Sequence, residues 1–404
     1  MNTSLSRTAT PDSAPANPKS AVTVAFLVLF TDMLVYGLAV PVLPRLAVDA
    51  GVRAGAIGVL FACYAAGFLA GTPLVGRWVD RAGPRNPLLL GVAGLAAASV
   101  LFALSEHFWM LVLARLLQGT SAALSWVAAL ALVAGTTPFA ERGRAMGIAI
   151  SGMTTGLLLG PPLGGLLADH LGLPAPFIIA AALACLDALV YLMLVRSVPP
   201  VTDDPAGPLA VLRVPGSRAV VVVALLAAGT IATIEPVLPL RLREDLGVGS
   251  SATGLLFAIT VVVGVVLSPV TGNLIGRIRV NLLVAVGAVL AGLALLVIGV
   301  ATEVWHIAVA MAVLGVAYGP LLQTPATTLM GVQGQRAEPP ALGAAYALYN
   351  FAFGGGLLLG PLIGSLPTQA FGFTTAMTAS AAVIVITGLL SAVRLPRIPQ
   401  ATSG

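Results

Sequence analysis

The chain has 404 residues, 58% of them hydrophobic and 9% charged, with a formal net charge of +5 and a mean hydropathy of +1.02. Soluble domains carry roughly 25% charged residues, so this sequence cannot cover a water-facing surface with polar groups. A soluble enzyme and a nucleic-acid-binding domain are both excluded, because the basic residues lie in short loops between apolar runs and there set topology.

Residues 1–20 are rich in Ser, Thr, Pro and Ala and read as a disordered cytoplasmic tail. Twelve apolar runs follow, at about 21–44, 54–75, 86–104, 108–134, 143–168, 175–195, 219–240, 252–274, 281–301, 306–330, 341–365 and 372–393. Each approaches the roughly 20 residues a helix needs to cross a hydrocarbon core of about 30 Å. The first run is too long for the apolar core of a signal peptide and lacks a cleavage site, so it counts as a span. No alternating strand pattern of the outer-membrane barrel kind is present. Residues 196–218 carry Pro199, Pro200, Asp203, Asp204, Pro205 and Pro208 and read as a cytoplasmic linker. It joins an N-terminal six-helix bundle (21–195) to a C-terminal one (219–393), with a second cytoplasmic tail at 394–404. The expected fold is an all-α polytopic membrane protein, twelve transmembrane helices forming two bundles around a central cavity.

With both ends inside, fifteen Lys and Arg residues fall in inner loops and tails, and only Arg45, Arg53, Arg241 and Arg243 fall outside. That asymmetry predicts cytoplasmic N and C termini and, for a bacterial-type chain, the plasma (inner) membrane.

The two halves repeat. "PVLP" at Pro41–Pro44 returns at Pro236–Pro239, and "TPLVGRWVDR" from Thr72 returns as "SPVTGNLIGR" from Ser268. "GLLLGPPLGG" from Gly156 returns as "GLLLGPLIGS" from Gly356. The near-constant offset marks a tandem duplication, as in transporters built from parallel six-span repeats. Gly156, Gly160 and Gly360 let a neighbouring helix approach closely, and Pro161 and Pro361 interrupt the helical hydrogen-bond ladder. All five are candidates for conformational seams.

Four ionisable residues lie deep within the spans: Asp32, Arg115, Asp187 and Glu235. Each is expensive in hydrocarbon and is a functional candidate for that reason. Asp32, with Tyr36 one turn on, can attract a cation or hold a proton, since loss of water penalises the charged form. Glu235, two turns nearer the outer surface by the repeat, is a second proton site or cation anchor. Arg115, followed by Gln118, is the positive partner of a carboxylate or a structural ion pair. Asp187 has no polar neighbour in "ACLDALVYL" and reads as a packing or hydrogen-bonding residue more than as a ligand. Tyr318, Gln323, Tyr346 and Asn350 can line a cavity, and His107, His170 and His306 fall in outer loops. Cys63 and Cys185 read as small buried hydrophobes. No nucleotide-binding loop, metal-ligand cluster or nucleophile elbow is present. Transport with a proton gradient as the driving force, without cofactor or metal, is what remains.

"GRWVDRAGPR" resembles the loop between spans 2 and 3 of the major facilitator superfamily. "RLLQG" and "GLLLGPPLGG" resemble that superfamily's span-4 arginine motif and the antiporter motif of its twelve-span drug:proton antiporters. "TDMLVYGLAVPVLP", "IEPVLPL" and "ERGRAMGIAISGMTTGLLLGPPLGG" are similar to the vesicular amine transporters. The resemblance implies that Asp32 pairs with an ammonium, that Glu235 is the second acidic contact, and that Arg115 is the span-4 arginine. It places an interdomain latch on Asp80 and Arg81, with Gly83 beside them. The sequence departs from the vesicular pattern at Tyr64 and Asn350, which stand where those proteins carry a lysine and an aspartate. Arg45–Arg53 replaces their long lumenal loop. The expected function is therefore proton-coupled efflux of a cationic or amphipathic small molecule, such as an amine or drug, by a monomer embedded in lipid. An importer or uniporter of a neutral solute, such as a sugar or metabolite, is the competing expectation.

Overall fold

The structure is a computed structural model that describes residues 17–194, 207–275 and 277–396. Most of the two expected tails and the first part of the expected linker lie outside the described residues, as does Gly276 of the repeated loop. Helix α1 (Pro18–Asp49) starts where the Asn17 side chain accepts from the Lys19 N–H at 3.0 Å, with proline at its first position, an arrangement that satisfies an otherwise orphaned donor. The other spans of the first half are α2 (Ala54–Ala82), α3 (Arg85–Ala103), α4 (Phe108–Thr136), α5 (Phe139–Leu171) and α6 (Ala175–Leu194). After a short helix α7 (Pro208–Arg213), the second half comprises α8 (Ser217–Ile234) with α9 (Leu238–Leu246), α10 (Ser250–Leu274), α11 (Val280–Val300), α12 (Val304–Val316) with α13 (Thr324–Arg336), α14 (Leu342–Phe371) and α15 (Phe373–Arg394). Among the described residues, twelve spans long and apolar enough to cross a membrane result. Gly172 and Gly372, two hundred residues apart, end α5 and α14 with φ of +92° and +85°, a backbone that side chains with a Cβ adopt only with strain.

Several helices run past the expected apolar limits. Helix α1 continues to Asp49 and α2 to Ala82, because the flanking polar turns keep helical geometry once outside the apolar core. The seventh span is broken: Glu235, Pro236 and Val237 form a turn between α8 and α9, where proline has no N–H to offer the ladder. The tenth span carries a π-helical stretch, Ala317–Gln323, around Pro320. Such wide turns recur at functional sites. His170 and His306 belong to helix ends, in the last turn of α5 and the first of α12, rather than to loops. Residues Pro208–Arg213 of the expected linker are helical.

The duplicated glycine stretch has one structural meaning in both halves. Along α5, a methyl group added at Gly152, Gly156, Gly160 or Gly164 would fall on the backbone of Phe26, Phe30, Leu34 or Leu38 of α1. Along α14, Gly356, Gly360 and Gly364 meet the backbone of Leu225, Gly229 and Thr233 of α8 in the same way. The seams lie within each bundle, joining spans 1 and 5 and spans 7 and 11. Contact between bundles falls to α2 against α14 and α5 against α10, the pairs that the repeat relates to each other. There Gly58 faces the Pro361 carbonyl, and Gly254 faces that of Pro161. The seam prolines therefore stand at the bundle interface itself.

Candidate functional site

Between the bundles lies a cavity of about 980 Å³ of empty space, open solvent at its mouth included. The first half supplies Met33 and Tyr36 from α1, Tyr64 and Phe68 from α2, Trp126 from α4, and Met153, Leu157 and Pro161 from α5. The second half supplies Ile231 and Glu235, then Phe257, Thr260 and Val261 from α10, Tyr318 and Gln323 from the π stretch, and Asn350, Phe353 and Leu357 from α14. The lining is mostly apolar and aromatic, and Glu235 is its single carboxylate. Pro236 ends α8 at Glu235, and the π stretch turns Tyr318 and Gln323 into the same space.

The polar centre crosses between the halves. The Tyr36 hydroxyl donates to Glu235 Oε2 at 2.7 Å, joining α1 to the end of α8. The Tyr36 and Tyr64 rings lie 4.9 Å apart. Behind them Arg115 of α4 is wholly buried, its guanidinium 4.7 Å from the Phe61 ring centre and 5.8 Å and 5.9 Å from those of Tyr36 and Tyr64. It donates to Gln118 Oε1 at 2.9 Å and forms no ion pair with a carboxylate among the described residues. Stacking on ring faces is a known way to hold a poorly hydrated cation. Arg115 is thus linked to Glu235 through Tyr36 rather than by a direct ion pair.

The other sequence candidates separate. Asp32 is buried at 1% exposure and does not line the cavity, although its neighbour Met33 and Tyr36 do. Both of its carboxylate oxygens lack a hydrogen-bond partner. Asp187 is also buried, beside Thr31 of α1, so its surroundings are not purely apolar as the sequence suggested. Tyr318, Gln323 and Asn350 line the cavity; Tyr346 is 43% exposed and does not. Asp80 and Arg81 are exposed, and neither forms an ion pair among the described residues. Gly83 follows α2 with φ of +78°.

Sequence reasoning missed two features. Phe68, Trp126 and Phe257 supply much of the aromatic lining; a tryptophan in mid-span, away from the membrane interfaces that tryptophan favours, is the signal that pointed to it. The second is a polar clasp across the bundles. Asp169 at the end of α5 accepts from Ser251 N at 2.7 Å, Ser251 Oγ at 2.8 Å and Ser250 N at 3.3 Å. Arg45 of α1 donates to Asp169 at 3.1 Å and to Ser250 Oγ at 2.5 Å, while Gly55 N donates to Gln369 of α14 at 2.9 Å. The clasp closes the cavity at the end holding the α1–α2 loop. At the opposite end, Gly76 and Gly272 have no neighbouring atom within 4 Å of an added methyl. No group of three or more His, Cys, Asp or Glu among the described residues can hold a metal ion.

A family model described as the Major Facilitator Superfamily matches residues 25–337 and 220–404. The chain belongs to the Major Facilitator Superfamily. As a member of this family of transporters it is not an enzyme. It is 31% identical over 353 residues to the chromaffin granule amine transporter of Homo sapiens, covering 84% of this chain and 64% of that protein. It is 30% identical to the synaptic vesicular amine transporter of Bos taurus over 80% of this chain and 63% of that protein. Multidrug resistance protein 1 of Bacillus subtilis (strain 168) is 34% identical over 181 residues, 44% of this chain and 46% of that protein. The match thus spans less than two thirds of the length of the amine transporters. The superfamily fold is seen again in a bacterial homolog of the human lysosomal transporter Spinster, in an inward-facing and unoccupied conformation. That structure has a TM-score of 0.79 at 15% identity, covering 96% of this chain and 98% of that one.

Proposed function

We propose that this superfamily member is a proton-coupled antiporter that exports a cationic or amphipathic small molecule by alternating access. The observation that carries the reading is Glu235, a lone carboxylate in an aromatic cavity built by both halves and bonded to Tyr36 across them. A carboxylate in such surroundings attracts a cation by charge, aromatic faces add cation–π contacts, and the apolar walls accept the body of an amphipathic ligand. Proton and cation then compete for one acid, which is the minimal requirement for exchange. Similarity to amine transporters and to a multidrug resistance protein points to the same substrate class.

The count of basic residues supports cytoplasmic chain ends and a plasma-membrane location. On that orientation the clasp seals the outer side and the cavity opens inward. The two bundles, α1–α6 and α8–α15, act as the moving domains, and both contribute to the site, so a monomer suffices. Asp32 serves as a second proton-binding acid, held apart from the cavity in this conformation.

Counterflow in proteoliposomes under an imposed pH gradient tests the reading, with radiolabelled dopamine and ethidium as probes. Gradient-driven accumulation that disappears in Glu235→Gln is expected. Transport by the unaltered protein that ignores the gradient would replace this reading with uniport.

A further inference from the structure

Asp32 is sealed from the cavity in this conformation, yet a proton-binding acid has to exchange its proton with water. The polar atoms around it indicate where. Among the buried atoms with no hydrogen-bond partner are Thr31 Oγ1, both Asp32 oxygens, Asp187 Oδ2 and the Tyr191 hydroxyl. They lie on α1 and α6, which pack against each other. Thr31 sits beside the Asp187 carboxylate without closing a hydrogen bond of ordinary geometry. Tyr191 follows Asp187 by one helical turn on the same face. The charge of Arg85, at the start of α3, acts on its hydroxyl.

The rest of this region is apolar: Leu88, Val92 and Leu95 of α3 pack in one cluster with Ala184 and Tyr191. The charged groups that act on this region are Arg85, whose field reaches Tyr191, and Asp32, whose field reaches Tyr64 of α2. No charged contact from α3 or α5 reaches Asp187 among the described residues. A purely structural acid would close its hydrogen bonds, as buried polar groups nearly always do. Here Thr31, next to Asp32 in α1, adjoins Asp187, and Tyr191 lies one turn beyond Asp187 toward the face that carries the α2–α3 loop, so the open valences fall on facing turns of α1 and α6.

We propose that Asp187 is a proton-relay residue, joining Asp32 to that face through Thr31, Tyr191 and bridging water, apart from the substrate cavity. In the release direction, the Asp32 carboxyl gives its proton to a bridging water as that water passes one to the Asp187 carboxylate. Protonated Asp187 then gives it up toward Tyr191 and bulk water. Each hop makes one O–H bond and breaks one, and no other reactant is needed. The arrangement lets a proton leave while a ligand occupies the cavity.

The inference rests on the proton-coupled reading, and the test separates the two. Purified full-length protein in proteoliposomes is assayed with radiolabelled dopamine in two modes: uptake driven by a pH gradient, and exchange with dopamine on both sides and no gradient. Exchange needs no net proton movement, so a relay defect spares it. Asp187→Asn is expected to lower gradient-driven uptake about tenfold or more, as loss of a positioned proton carrier does, with exchange near the unaltered level. Asp187→Glu restores the uptake, and Tyr191→Phe lowers it in the same mode alone. Normal gradient-driven uptake in Asp187→Asn overturns the inference, as does equal loss of both modes that Asp187→Glu fails to rescue. Absence of gradient-driven uptake in the unaltered protein overturns the proton-coupled reading itself.

Discussion

At the scale of single residues, the site places one negative and one positive charge in hydrocarbon without letting them touch. The Tyr36 hydroxyl stands between them, bonded to Glu235 at 2.7 Å and stacked toward Arg115. A hydrogen bond to a charged group contributes about 1.5–3 kcal/mol, so Tyr36→Phe is expected to change the apparent dopamine affinity by about tenfold or more, read by competition binding. Arg115 is different in kind. Its charge is buried among rings with no carboxylate in ion-pair contact among the described residues. The cost of taking it out of water is thus not offset by an ion pair, and an apolar side chain of similar volume removes that cost. Arg115→Met is therefore expected to keep or raise the unfolding temperature in detergent while abolishing gradient-driven transport. A fall in stability alongside the loss of transport would instead assign Arg115 to holding the fold together.

At the scale of elements, the glycine repeats and the clasp do opposite work. The seams α1–α5 and α8–α14 are backbone-tight, which makes each bundle a rigid unit. The clasp is a handful of polar contacts near the membrane surface, where water competes and each ion pair is worth at most about 1 kcal/mol. A joint of that strength can open. Asp169→Asn removes the Arg45 pairing and weakens the bonds to Ser250 and Ser251, so it is expected to favour the conformation open at the α1–α2 end. Faster alkylation of a cysteine introduced at Ser250 would show it. Gly254→Val, which drives a side chain into the Pro161 carbonyl, is expected to act in the same direction more strongly. Much of this level was legible in advance. Span number, the repeat and the glycine stretches follow from apolar length and offset, which local sequence carries. The clasp was not legible, because Arg45, Asp169 and Ser250 are up to 205 residues apart and only the docking of two bundles brings them together. The same holds for the site. Glu235 and Tyr36 stood out as polar groups in apolar helices, whereas the burial of Asp32 and the exposure of Tyr346 depend on helix rotation, which a composition dominated by Ala, Leu, Val and Gly barely encodes.

At the scale of the whole molecule, one face of the cavity is closed by cross-bundle contacts and the other carries none of those named above. In such a molecule a ligand shifts the balance between two packings of the same bundles only by binding one packing better. A cationic ligand that takes Glu235 Oε2 displaces the Tyr36 hydroxyl, which removes a bond between the halves of this packing. Binding is therefore coupled to reorientation through that bond. The consequence is measurable with two single-cysteine variants in a background lacking Cys63 and Cys185. One cysteine replaces Thr72, in the half of α2 away from the clasp; the other replaces Ser250 within it. In the unliganded protein the Thr72 position is expected to react with a membrane-impermeant maleimide faster than the Ser250 position. Saturating dopamine is expected to narrow or reverse that order, and in Tyr36→Phe the unliganded protein already shows the narrowed ratio. An order that dopamine leaves unchanged, in protein shown to bind it, would mean that the Tyr36–Glu235 bond does not couple the cavity to the movement of the bundles.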